Sequence, residues 1–180
     1  MSLERLKKLT LRITTLAKIL HVITVIMLIC ELVSFLWLSI MPNKLSGFFH
    51  IVRVWAPFIS NVEDVQLSLF ELAGTLVNHV FLFLILGTTE KAFRHLSVHM
   101  NILDTIKDLK KIAFLFLGDA IILPLVKSVS YSVFLGEHIP HGIFDDCSII
   151  VSAIIYFLSV FIESRSVEVS EEKKEEEEKV

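Results

Sequence analysis

The side chains able to do chemistry in this 180-residue chain form two groups, one lying between apolar runs and one buried inside them. The first is Glu137-His-Ile-Pro-His141, followed by Gly-Ile-Phe-Asp145-Asp146. Imidazoles and carboxylates are zinc ligands, which makes His138, His141, Asp145 and Asp146 metal candidates. Their spacing matches no established site, and Pro140 with Gly142 leaves the geometry loose. The plainer expectation is a polar turn in which Asp145 or Asp146 caps the following helix. The second group is Glu31, Glu71, Asn78, His79, Asp119 and Lys127. An ionisable group at membrane depth is costly, so each must face a bundle interior, a cavity or an interface. Asp119 and Lys127 are eight residues apart, about 12 Å along a helix and within about 80° of one face. Pro124 falls between them and frees the carbonyl of Ala120. By depth, Lys127 can meet Glu31 or Glu71, while Asp119 lies level with His79 or Lys18. Such a set serves either as an ion, proton or substrate path, or as interhelical pairing that fixes the bundle. Nothing in it matches a transport motif.

Two other patterns carry less. Arg94-His-Leu-Ser-Val-His99 fits R-x4-H and is similar to the motif of HEPN-type ribonucleases, which close it across a soluble helical dimer. The sequence offers no soluble helical domain to present it, and the simpler expectation is a basic stretch with His95 and His99 on one helical side. There is no phosphate-binding glycine loop, no H-E-x-x-H and no G-x-S-x-G. The expectation is a non-enzymatic protein without a cofactor. Cys30 and Cys147 have the spacing of neither a disulfide framework nor a zinc motif.

What must hold these residues is membrane-spanning helix. The chain is 54% hydrophobic, with a mean hydropathy of +0.70, and its charges are pushed between long apolar blocks. Crossing about 30 Å of hydrocarbon takes about 20 such residues. Four runs qualify: about 17–41, 65–87, 112–135 and 147–162, the last short at 16 residues. The predicted fold is an all-α membrane protein, a four-helix transmembrane bundle over residues 1–165 with a tail at 166–180. A β-barrel would need alternating segments, and Val80-Phe-Leu-Phe-Leu-Ile-Leu86 does not alternate. The basic start Met1–Lys8 resembles a signal-peptide n-region, but the apolar run after it is too long for one, so a retained first span is expected.

Basic residues set the direction. The N-terminal segment, the connection carrying Lys91, Arg94, Lys107, Lys110 and Lys111, and the C-terminal tail hold 14 of the 17. They share one side only if the spans number four. That places both termini in the cytoplasm and the protein in the cell (inner) membrane. The formal net charge of −3 comes mostly from the tail, where Ser170–Val180 holds six Glu and three Lys. The remainder is near neutral, which argues against a nucleic-acid partner.

The connections add three expectations. Leu45 to Trp55 reads as a short helix at the outer interface, where Trp is comfortable. Thr88 to Lys111 reads as one amphipathic cytoplasmic segment, with Asp104, Lys107, Asp108 and Lys111 at i,i+3 and i,i+4 and an apolar side of Ile102, Leu103, Ile106 and Leu109. It would rest on anionic lipid or hold a partner. The tail reads as a solvated extension, frayed or weakly helical.

The stretch Ala92-Phe-Arg-His-Leu96 with Ile102-Leu-Asp-Thr-Ile-Lys-Asp-Leu-Lys-Lys-Ile-Ala113 resembles the YoaS-like family of four-span bacterial membrane proteins. There, a basic cytoplasmic segment ends in a Leu-Lys/Arg-Lys-Ile entry to the third span, the place held here by Leu109-Lys-Lys-Ile112. The family's common Pro-Phe pair before that segment is replaced by His99-Met-Asn101. The resemblance implies the layout and no activity. Together these features lead to the expectation of a small accessory, immunity or regulatory subunit that binds lipid and a protein partner or further copies of itself. An oligomeric ion or proton channel or transporter subunit using the buried charges is the alternative. A membrane-associated defence accessory resting on Arg94 and His99 is a third reading.

Overall fold

The computed structural model describes residues 3–40, 65–96, 102–136 and 146–177. They form four helices, α1 (Leu3–Ile40), α2 (Val65–Arg94), α3 (Ile102–Leu135) and α4 (Asp146–Glu177). Each contains a stretch long and apolar enough to cross a membrane: Lys8–Ile40, Leu69–Arg94, Ile102–Phe134 and Asp146–Val167. The chain is therefore all-α in its described residues, with four candidate spans. The candidate outer helix at 45–55, and His138, His141 and Asp145 of the metal cluster, lie outside those residues. Among the described residues no three potential metal ligands come together, and Asp146 stands in the first turn of α4.

The helix ends follow from local chemistry. α1 is described as far as Ile40. α3 ends on Gly136, which holds a φ of +71°, the left-handed conformation that closes many helices. At the charged ends nothing breaks the helix, so the helices outrun the apolar cores. Thr88 to Lys111 is consequently not one amphipathic segment. Thr88–Arg94 is the last part of α2, and Ile102–Lys111 is the first part of α3. Of the predicted apolar side, Ile106 is buried and Leu109 half-buried, whereas Ile102 and Leu103 are exposed. The tail, expected to be frayed or weakly helical, is helical: α4 runs unbroken to Glu177 through Glu and Lys, both good helix formers.

Close backbone packing joins α1 to α2, α2 to α3 and α3 to α4, and no other helix pair among the described residues. The helices stand in chain order as an open row. The Phe35 and Phe134 rings, 6.4 Å apart, bring the far ends of α1 and α3 to one side of α2. α2 has neighbours on both sides and is the most buried span, at 28%, against 11% for α4. The outward faces of α1, including Leu16, Ile23, Ile26 and Leu36, are apolar and exposed, as lipid contact requires.

The seams between helices are small and polar. On α1 the buried positions Thr10, Ala17, Thr24, Glu31 and Leu38 recur every seven residues, the spacing that keeps one seam against an antiparallel neighbour. On α3 Ile106, Ala113 and Ala120 repeat it, and on α4 Ser152 and Ser159. Some hydroxyls on these faces are satisfied by their own helices, as in Thr24 to the Leu20 carbonyl and Ser34 to the Cys30 carbonyl, whereas Ser152 reaches across a seam. Small residues at such seams let backbones approach where water cannot drive association.

α4 is displaced along the row. Ser152 donates to the Ala113 carbonyl at 2.7 Å, and Lys110 pairs with Glu163 at 2.6 Å. Beyond that level α4 rises only about 9 Å to Asp146, while α3 rises about 33 Å to Leu135. Among the described residues, α4 thus flanks the part of α3 nearest the end that carries the basic residues, the basic end.

Candidate functional site

Two polar positions lie within the spans, one in the α1–α2 seam and one in the α2–α3 seam. The α1–α2 position exists because the seven-residue seam of α1 places Glu31 against α2, one turn from Phe35. On α2 the face toward α1 carries Leu72, His79, Phe83, Gly87 and Glu90. His79 Nδ1 lies 2.9 Å from Glu31 Oε1 and 3.0 Å from Oε2, so the imidazole N–H is shared between both carboxylate oxygens. Both residues are buried, at 4% and 7% exposure. Glu31 is nine residues from the end of α1, about 14 Å in, so the pair is well inside the span. Carboxylate with imidazolium, or carboxylic acid with imidazole, carries no net charge, and a proton can pass between the two forms without a change in total charge. That neutrality makes the pair tolerable in hydrocarbon.

The α2–α3 position is a cleft of about 390 Å³ lined by Glu71, Gly74, Thr75 and Asn78 of α2 and by Leu123 and Lys127 of α3. The first four recur at i, i+3, i+4 and i+7 and so share one helical face. Gly74 lets the Lys127 stem cross α2: a Cβ at Gly74 would stand 3.3 Å from Lys127 Cε. Lys127 makes no ion pair among the described residues. It lies 14 residues outward of Ala113, about 21 Å, in the part of α3 that α4 does not flank. Asp119 is buried at 8%, two turns nearer the basic end on the same side of α3. Beside it, Gly118 abuts Phe81, which sets Asp119 near the level of His79.

The candidates are therefore divided rather than gathered. Glu31 joins His79, and not Lys127. Lys127 shares its cleft with Glu71 and Asn78. Pro124 lies within a helix that continues past it. The spacing rules place Asp119 and Lys127 on one face but could not say which neighbour each helix face would meet. The seven-residue spacing of Thr10, Ala17, Thr24, Glu31 and Leu38 was a signal for the inward face of α1, masked by apolar residues all round the helix, and it did not name His79 as the partner.

At the basic end, His95 Nδ1 meets Asp108 Oδ2 at 3.0 Å, tying the close of α2 to the start of α3. Asp104 pairs with Lys107 at i,i+3, and Lys110 with Glu163. His99, the second half of R-x4-H, lies outside the described residues. Lys91, Arg94 and Lys111 line a second cleft of about 360 Å³ with His21 and Glu90.

No family model, curated protein or solved structure matches the chain.

Proposed function

We propose that the chain is a non-enzymatic accessory or regulatory subunit of the cell (inner) membrane, with both termini cytoplasmic, that binds a partner membrane helix through the α2–α3 cleft. The observation that carries this reading is Lys127. It is a cation within a span that makes no ion pair among the described residues, beside the stretch of α3 that α4 leaves open. A cation at that depth is stabilised by a carboxylate brought alongside it, so the partner's chemistry is an apolar helix bearing an Asp or Glu. The open row supports the same reading, because outward faces of α1 and α4 remain for assembly. The layout likeness to the YoaS-like family is compatible with it and adds no activity.

The test places a photo-crosslinking residue at Leu123, which lines the cleft, and identifies the adduct in native membranes. One partner in fixed stoichiometry is expected. Lys127→Met and Lys127→Glu should both abolish the adduct, and a reciprocal carboxylate-to-lysine change in the partner should restore it for Lys127→Glu. An adduct unchanged by both substitutions refutes the reading, and an adduct between two copies of this chain redirects it to self-assembly.

The Glu31–His79 pair favours a second reading, a proton-conducting subunit, because it can hold or pass a proton at constant charge. Proton flux in liposomes above that of empty vesicles, lost in Glu31→Gln, would support it. No flux above empty vesicles counts against it.

A further inference from the structure

We infer that the second cleft, between α1 and α2 at the basic end and closed by α3, is a binding site for the headgroup of an anionic phospholipid. Three helices contribute. α2 presents Gly87, Glu90, Lys91 and Arg94 along one face, α1 presents His21, and α3 brings Lys111 across from the other side. Three permanent cations thus converge on about 360 Å³ of space against one carboxylate, Glu90. His21 Nδ1 lies 3.8 Å from the Oε2 of that carboxylate. Lys91 and Lys111 make no ion pair among the described residues.

The cleft is built by close approach. A Cβ at Gly87 would stand 3.0 Å from His21 Cε1, so only glycine lets the imidazole lie against α2. The ring is fixed below by Phe83, with centroids 4.5 Å apart and planes at 70°. The lining runs along α2 from apolar Phe83 and Leu84 to polar Glu90, Lys91 and Arg94. From Phe83 to Lys91 is eight residues, about 12 Å. A ligand that fits therefore carries a phosphate at one end and hydrocarbon at the other.

This polarity decides between two sources of the same phosphate chemistry. A free phosphate would use the cations and leave the apolar stretch empty. A phospholipid uses both, and it reaches the cleft by lateral diffusion, since Leu84 is 42% exposed on the lipid side. Basic residues at a membrane surface attract anionic lipid with additive strength, and a cleft that converges three of them converts that attraction into a site. The inference does not depend on the partner contact at Lys127.

The experiment uses the full chain purified in mild detergent and titrated with phosphatidylglycerol or phosphatidylcholine, with bound lipids counted by native mass spectrometry. One tightly held phosphatidylglycerol is expected, with phosphatidylcholine bound far more weakly. Replacing Lys91, Arg94 and Lys111 together by Gln should weaken that binding on the order of a hundredfold. Replacing Lys8, Lys18 and Lys107, three basic-end cations outside the cleft, should leave the tight component in place. Gly87→Leu, which fills the cleft without changing charge, should also remove it, and this variant decides the matter if the triple variant does not fold. Equal loss in the two triple variants would mean diffuse attraction and overturn the site. Equal retention of both lipids would overturn its selectivity. Displacement by millimolar inorganic phosphate would assign the cleft to a soluble anion instead.

Discussion

Removing either member of the Glu31–His79 pair should destabilise the α1–α2 seam by several kcal/mol, and removing both should cost little more than removing one. The magnitude comes from the geometry. Two unit charges 2.9 Å apart attract by about 6 kcal/mol at an effective dielectric of 20. Desolvation takes back part of that, and deleting one member of a buried pair typically costs about 3–5 kcal/mol because the other is stranded. A neutral interhelical hydrogen bond in a membrane contributes about 0.6–2 kcal/mol. α1 has α2 as its one close helix neighbour among the described residues, so no second seam shares the loss. Glu31→Leu and His79→Leu are each expected to lose about 3 kcal/mol, with a coupling of at least about 2 kcal/mol in the double variant. Glu31→Gln, which keeps a hydrogen bond and loses the charge, should fall between wild type and Glu31→Leu. The assay is reversible unfolding in mixed detergent–lipid micelles, followed by a pair of fluorophores on α1 and α2. If the two single effects add to within about 0.5 kcal/mol, the residues do not act as a pair and the buried contact is refuted.

Three further outcomes follow from the packing. Gly74→Leu should overpack the α2–α3 cleft by about 1–3 kcal/mol, and Lys127→Ala in the same chain should recover most of the loss, because the Lys127 stem occupies the space the new side chain needs. Lys110→Met and Glu163→Gln should each change stability by less than about 1 kcal/mol despite the 2.6 Å contact, since both side chains are substantially exposed and such pairs are screened; a loss above 2 kcal/mol in the same unfolding assay would contradict that. Ser152→Ala should cost about 1 kcal/mol by losing its bond to the Ala113 carbonyl, whereas Ser152→Leu should force α4 off α3 and abolish a disulfide engineered between Leu117 and Ile149, two residues that face the same α3–α4 groove.

The four spans were readable because hydrocarbon imposes a one-dimensional rule. Every backbone group must be satisfied within its own helix, so length and hydropathy locate helices without knowledge of their neighbours. The basic residues then fold the row back on itself in the only way that gathers 14 of them at one end. Gly136 marks one helix end by backbone chemistry that is equally local. Thr88 to Lys111 misled because charge pairs at i,i+3 and i,i+4 stabilise a helix wherever they occur. They do not reveal that the chain reverses between Arg94 and Ile102. Asp108 illustrates the point: its spacing matches Lys111, and the fold gives it to His95.

What the sequence by itself determined is that the chain is helical, with four helices long and apolar enough to cross a membrane. What only the tertiary structure decided is who meets whom. A lipid-facing helix is apolar nearly all round, so hydropathy cannot say which face turns inward. That choice is made by close packing of small residues along a seven-residue seam, and it takes two helices to express it. By depth alone Lys127 could meet Glu31 or Glu71. The rotation of α1 and α3 about their axes gives Glu31 to His79 and leaves Lys127 in the cleft with Glu71, beside Gly74. The displacement of α4 toward the basic end was beyond the sequence for the same reason, since it is fixed by contacts such as Ser152 with Ala113 and Lys110 with Glu163.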